Sequence, residues 1–147
     1  MSTAVEFHIL EGTNLRALDM AVCGRIEQWV QAGATVCVVT DSAAAAERVD
    51  LALWTFNDQA FIPHEIVSRA DAQTGAPPLP PVLITSGRTV AADILVNLGP
   101  TVPDGIETFA RVVEFVDADP TRRDAGRRRF VTYRDRGLPP ETHKVGS

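Results

Sequence analysis

Residues 35–53, TVCVVTDSAAAAERVDLAL, hold the passage that decides the fold. Thr35 to Val39 is a short, continuous apolar run rich in β-branched residues, as a strand covered on both faces requires. Asp41 and Ser42 follow with side-chain oxygens suited to cap a helix. Ala46, Val49 and Leu53 then recur at spacings of three and four, which gives a helix through Leu53 one inward face. A buried strand that passes directly into such a helix is half of a βαβ unit.

The chain on either side extends the same alternation. Upstream, VEFHIL at 5–10 has strand composition and is ended by Glu11-Gly12-Thr13-Asn14. Leu15, Leu18, Val22, Ile26, Trp29 and Val30 then form one stripe of a helix over 15–31, with Asn14 as its N-cap and Gly33 as its left-handed stop. Strand, helix, strand and helix with short connections predict a mainly parallel sheet. Downstream, His64 to Val67 reads as a third strand, with Pro63 marking it as an edge. Residues 68–81, SRADAQTGAPPLPP, read as an irregular proline-rich connection. PVLIT at 81–85, ILVNL at 94–98 and Phe109 to Val116 read as further strands. Asp119 caps, and Pro120 opens, a helix to Arg136 that Gly137 and Pro139 stop. Residues 140–147 are expected to be a mobile tail.

The expected architecture is therefore one α/β domain over residues 1–147: three layers, a mostly parallel sheet with helices on both faces, Rossmann-like without a nucleotide-binding loop. The apolar fraction of 45% and charged fraction of 22% are ordinary for a folded domain. No apolar run has the length of a membrane span and the first residues do not form a secretory signal, so a cytoplasmic location is expected. Cys23 and Cys37 lie in apolar segments without a CxxC pair and read as small buried hydrophobes.

Catalytic chemistry finds little support. GxGxxG and the Walker-type phosphate loop are both absent, and Asp41 serves a helix cap as well as it would serve a ribose. His8, His64 and His143 have no metal-ligand spacing. Ser86-Gly87 lacks the flanking glycine of a nucleophile elbow. Asp93, Glu114 and Asp117 are expected to be solvated carboxylates near strand ends. No catalytic residue, metal or cofactor is assigned. A small nucleotide- or phosphosugar-processing enzyme would need convergent polar groups in a pocket near Asp41 and Ser86.

Two stretches remain unexplained by folding alone. In LALWTFNDQAFIPH, residues 51–64, Trp54, Phe56 and Phe61 flank the polar turn Asn57-Asp58-Gln59. A turn cannot bury every ring beside it, so either the rings reach the core across it or some form an apolar platform for a partner. Leu53 reads as a core residue. In RRDAGRRRFVTYRDRG, residues 122–137, seven arginines stand against two aspartates, a local balance of +5 in a chain of net charge −5, so the remainder carries −10. Arg123, Arg127 and Arg134 share one helical stripe with Phe130, which suits an acidic peptide carrying apolar side chains. A solvated outer face is the plain alternative for these arginines, and direct binding of single-stranded DNA is another, which the acidic remainder disfavours.

VVTDSAAAAERVDLALWTFNDQAFIPH, PVLIT, ILVNLG, RVVEFVD and RRRFVTYRDRG, in that order, resemble the chi subunit of bacterial DNA polymerase III holoenzyme, a clamp-loader accessory protein. The resemblance runs from about Val5 to Gly137. It implies a non-catalytic protein with two partners: the psi subunit of the clamp loader, and the acidic, phenylalanine-ended C-terminal tail of single-stranded DNA-binding protein. Carried onto this chain, it implies a psi surface at Trp54, Phe56, Phe61 and Pro63, and a tail site at Arg123, Arg127, Arg128, Phe130 and Arg134. Val131 stands where relatives have a lysine, which either weakens one contact or is compensated by Arg128. DNA contact is expected to be mainly indirect, and the protein monomeric or heterodimeric.

Overall fold

The computed structural model describes residues 3–57, 62–67 and 79–145. Burial along the second strand shows how the layers arise. All five residues of β2 (Val36–Thr40) are buried, and its side chains alternate between two cores. Val36 and Val38 join one with Leu18, Val22 and Ile26, and with Ala46, Val49 and Leu53. Cys37 and Val39 join the other with Phe7, Leu95 and Tyr133. The first core packs under α1 (Leu15–Gln31) and α2 (Ala43–Thr55), the second under α3 (Pro120–Asp135). Helices therefore cover both faces of one sheet, as the continuous apolar run predicted.

The remaining strands are β1 (Ala4–Ile9), β3 (His64–Ile66), β4 (Val82–Ser86), β5 (Ile94–Asn97), β6 (Arg111–Val116) and β7 (Glu141–Lys144). Their order is β3-β4-β2-β5-β6-β1-β7, and every pairing among them is parallel. β3 is an edge strand, as Pro63 suggested. The Asn14 side chain accepts from Ala17 N at the start of α1, and Asp119 accepts from Arg122 N at the start of α3, each meeting an otherwise unpaired amide. For α2 the cap is Ser42, whose Oγ accepts from Ala45 N at 3.1 Å; Asp41 is exposed beside it. The last long strand begins at Arg111 rather than Phe109. Gly105, at φ +81°, opens a 3-10 turn over Ile106–Thr108, and Phe109 folds into the second core.

Two expectations need correction. The tail over 140–147 was expected to be mobile, yet Glu141–Lys144 form β7, in register with Glu6 to Ile9 of β1. β1 carries the buried residues Phe7 and His8, and β7 supplies backbone partners to an edge that would otherwise be open. All four β7 side chains are exposed, so no apolar pattern announced the strand. The three carboxylates expected to be solvated are all engaged. Asp93 Oδ2 accepts from Thr35 N and Oγ1 at 2.9 and 3.2 Å. Asp117 is buried against Arg122, and Glu114 is wholly buried. Of the proline-rich connection, residues 68–78 lie outside the described residues.

Cys23 and Cys37 are buried free thiols. Burial, with Asp19 nearby, pushes the Cys23 thiol up to about 12, so it packs as a protonated hydrophobe.

Candidate functional site

The outer face of α2 follows from its inward stripe. With Ala46, Val49 and Leu53 committed to the core, Leu51 and Trp54 turn outward and are 62% and 53% exposed. Trp54 is not loose. Its ring meets the His64 ring edge-on at 4.9 Å, and the buried His64 side chain has Nδ1 2.6 Å from Ile62 O and Nε2 3.1 Å from Asp50 Oδ1. An anchored, half-exposed indole offers a partner apolar area at little entropic cost. Phe56 is half-buried and packs on the first core, so its ring serves the fold as well as the surface. In the FIPH segment Ile62 is buried, Pro63 is half-buried, and Phe61 lies outside the described residues. Ile66 of β3 adds a partly exposed apolar side chain. Leu51 was missed as a surface residue, although its position opposite the 46-49-53 stripe would have identified it.

On the other side of the sheet, α3 sorts its arginines by helical position. Arg122 and Arg129 turn inward. Arg122 donates to both Asp117 oxygens at 3.0 and 2.8 Å. Arg129 Nε donates to Glu114 Oε1 at 2.8 Å, while Glu114 Oε2 accepts from Tyr133 Oη at 2.7 Å and Asn97 Nδ2 at 2.9 Å. Burial pushes the Glu114 carboxyl up from its ordinary value; Arg129, Tyr133 and Asn97 pull it part of the way back. This buried cluster ties α3 to β5 and β6. Gly126 permits the close approach, since a Cβ there would stand 2.8 Å from Val116 Cγ2.

Seated this way, α3 forms one wall of a groove of about 420 Å³. Arg123 and Arg127 stand at its rim, Phe7, Ile9 and Val116 form its floor, and Phe130 closes it, 5.3 Å from the Phe7 ring. Arg127 NH1 is 3.8 Å from Asp124 Oδ1, an exposed and weak pair. Arg134 continues the same stripe but lies beyond the residues that line the groove. Arg128 lines an adjacent depression with Pro100, Thr101 and Val102, and Val131 is 41% exposed.

Of the two positions an enzyme would use, Ser86 lines a pocket of about 580 Å³ with Glu47 and Arg88, while the pocket beside Asp41, about 280 Å³ in volume, contains Asp19, Asp41, Arg48, Arg122 and Arg129. Arg48 Nε is tied to Asp19 at 3.1 Å, and Arg122 and Arg129 are held as above, so most of its charged groups neutralise one another. Among the described residues, no group of three or more His, Cys, Asp or Glu is placed to hold a metal, and no helix is long and apolar enough to cross a membrane.

The family described as "DNA polymerase III chi subunit, HolC" matches residues 1–141. DNA polymerase III subunit chi of Pseudomonas aeruginosa is 30% identical over 145 residues, covering 97% of each chain. The proteins of the same name from Haemophilus influenzae and Escherichia coli are 25% and 27% identical, over 99% and 84% of this chain. With a family match spanning both the α2 face and the α3 groove, the chain belongs to the DNA polymerase III chi subunit family and is an accessory subunit of that polymerase.

Proposed function

We propose that this chain acts in the cytoplasm as a single-domain adaptor, without catalysis of its own, that joins the clamp loader to protein-coated single-stranded DNA. The α2 face, with Trp54 at its centre and Phe56 and Pro63 beside it, receives the psi subunit, and Phe61, which lies outside the described residues, is assigned to the same interface. The α3 groove, through Arg123, Arg127 and Phe130 with Arg134 beyond its end and Arg128 on the adjacent flank, receives the acidic C-terminal tail of single-stranded DNA-binding protein. The protein is monomeric alone and heterodimeric with psi, and its contact with DNA is indirect.

The observation that carries this reading is the α3 groove: guanidinium groups at the rim of an aromatic floor, in a chain whose remainder is acidic. Arginine takes a carboxylate through paired N–H donors, and the ring-lined floor accepts an apolar side chain. The deciding experiment is calorimetric titration of the whole protein with an acidic peptide ending in phenylalanine and, separately, with single-stranded DNA. Peptide binding that Arg127→Ala removes and Trp54→Ala spares supports the adaptor. Tight DNA binding without peptide binding would overturn it in favour of a direct DNA binder.

A further inference from the structure

The α3 groove has a second wall that the arginine stripe does not describe. Thr142 of β7 lines it. Thr142 and Lys144 are in register with Phe7 and Ile9 of β1, both groove residues. Residues paired in a parallel sheet project to the same face, so Lys144 stands on the groove side of the edge strand. Glu141 and His143 take the opposite side, where the His143 ring lies 5.5 Å from that of His8. Lys144 is exposed, and among the described residues it makes no ion pair.

Charge around the groove gives this position a use. Its two lining carboxylates are Glu11 and Asp117, and Asp117 is held by Arg122. Glu11 therefore remains as the anion that an acidic ligand meets, at the end of the groove where β1 leaves the sheet. Lys144, beside Ile9, is the β7 cation at that same end. It is also the chain's single lysine.

We infer that β7 is a functional wall of the groove and that Lys144 supplies its sheet-side cation, so that an acidic peptide is gripped from both sides, by Arg123 and Arg127 from α3 and by Lys144 from β7. The inference rests on the groove being a peptide site.

The single lysine makes the test direct. An acidic peptide ending in phenylalanine is bound to the full chain and treated with a zero-length carbodiimide, which joins a peptide carboxylate to a nearby amine, and the joined residue is located by mass spectrometry. Titrations of Lys144→Ala, Lys144→Glu and Lys144→Arg follow, each variant first shown to unfold like the parent. The expected result is coupling at Lys144, a loss of about two- to fivefold for Lys144→Ala, about tenfold or more for Lys144→Glu, and recovery in Lys144→Arg. Parent-like affinity in Lys144→Glu, with Arg127→Ala still losing binding, would overturn the inference and leave the peptide groove standing. No peptide binding by the parent would overturn both.

Discussion

The α2 face and the α3 groove lie on opposite sides of the same sheet and are built on opposite principles. On α2 the helix gives its inward stripe to the core and leaves Leu51 and Trp54 outside; the ring contact with His64, itself beside Asp50, helps hold the surface in place. On α3 the exposed residues act only because buried ones position them: Arg129, Glu114, Tyr133 and Gly126 set the helix against β6, and Arg123, Arg127 and Phe130 reach the groove as a consequence. A surface made of side chains that merely face outward is altered one residue at a time. A groove between elements is altered wherever the elements are joined.

The strongest way to break this contrast is to disturb the join itself. Arg129→Met leaves the Glu114 carboxylate buried without its cation and should cost about 3–5 kcal/mol in urea unfolding. Loss of less than about 1 kcal/mol would show that the cluster does not seat α3. Next come the surface anchors. Trp54→Ala should cost the psi complex at least about 2 kcal/mol, and Leu51→Ser a smaller amount, with both variants as stable as the parent to within about 0.5 kcal/mol. Equal damage to peptide binding in these variants would mean that the two faces are not separate. Gly126→Ala gains helix propensity but forces Val116 aside. We expect a net loss of about 1–2 kcal/mol, with weakened peptide binding at unchanged psi binding.

The smallest effect is a pH dependence beneath the groove. Glu6 of β1 accepts from Arg111 Nε and NH2 at 2.8 and 2.9 Å. Burial works to raise its pKa, but Arg111 and His8 outweigh burial and hold it below the ordinary glutamate value. A lowered folded pKa contributes stability that is fully present above the unfolded value and is lost as pH falls through the folded one. Arg111→Met should therefore flatten the acid limb of the melting temperature measured from about pH 6 to pH 3. An unchanged limb would place the acid sensitivity elsewhere.

What the sequence reveals follows the same division. Strands β1, β2, β4, β5 and β6 and the three helices are legible because their apolar spacing is the cause of their packing, and the arginine stripe because 123, 127, 130 and 134 repeat at helical intervals. Trp54 stands out because a large ring beside a turn has few places to go. Glu114 does not stand out. A carboxylate in a strand reads as solvent-facing until the arginine and tyrosine that meet it, 15 and 19 residues later, are brought over it by the fold. Arg128 follows Arg127 in sequence but lines a different depression, because adjacent residues on a helix point about 100° apart. β7 was invisible for a third reason. ETHK carries no apolar alternation, and its place is set by the open edge of β1.

That placement has a consequence for how the chain folds. Among the described residues β1 comes first of the seven strands in chain order, yet its two neighbours, β6 and β7, come last. Ala4 pairs with Arg111, and Glu6 with Glu141, so β1 waits unpaired until segments far along the chain have emerged. Such distant pairings pay their loop-closure entropy late and slow folding. The segment Val5 to Ile9 is therefore the stretch of the nascent chain most in need of protection from premature pairing, and the sheet becomes complete only after the last residues of β7 are released.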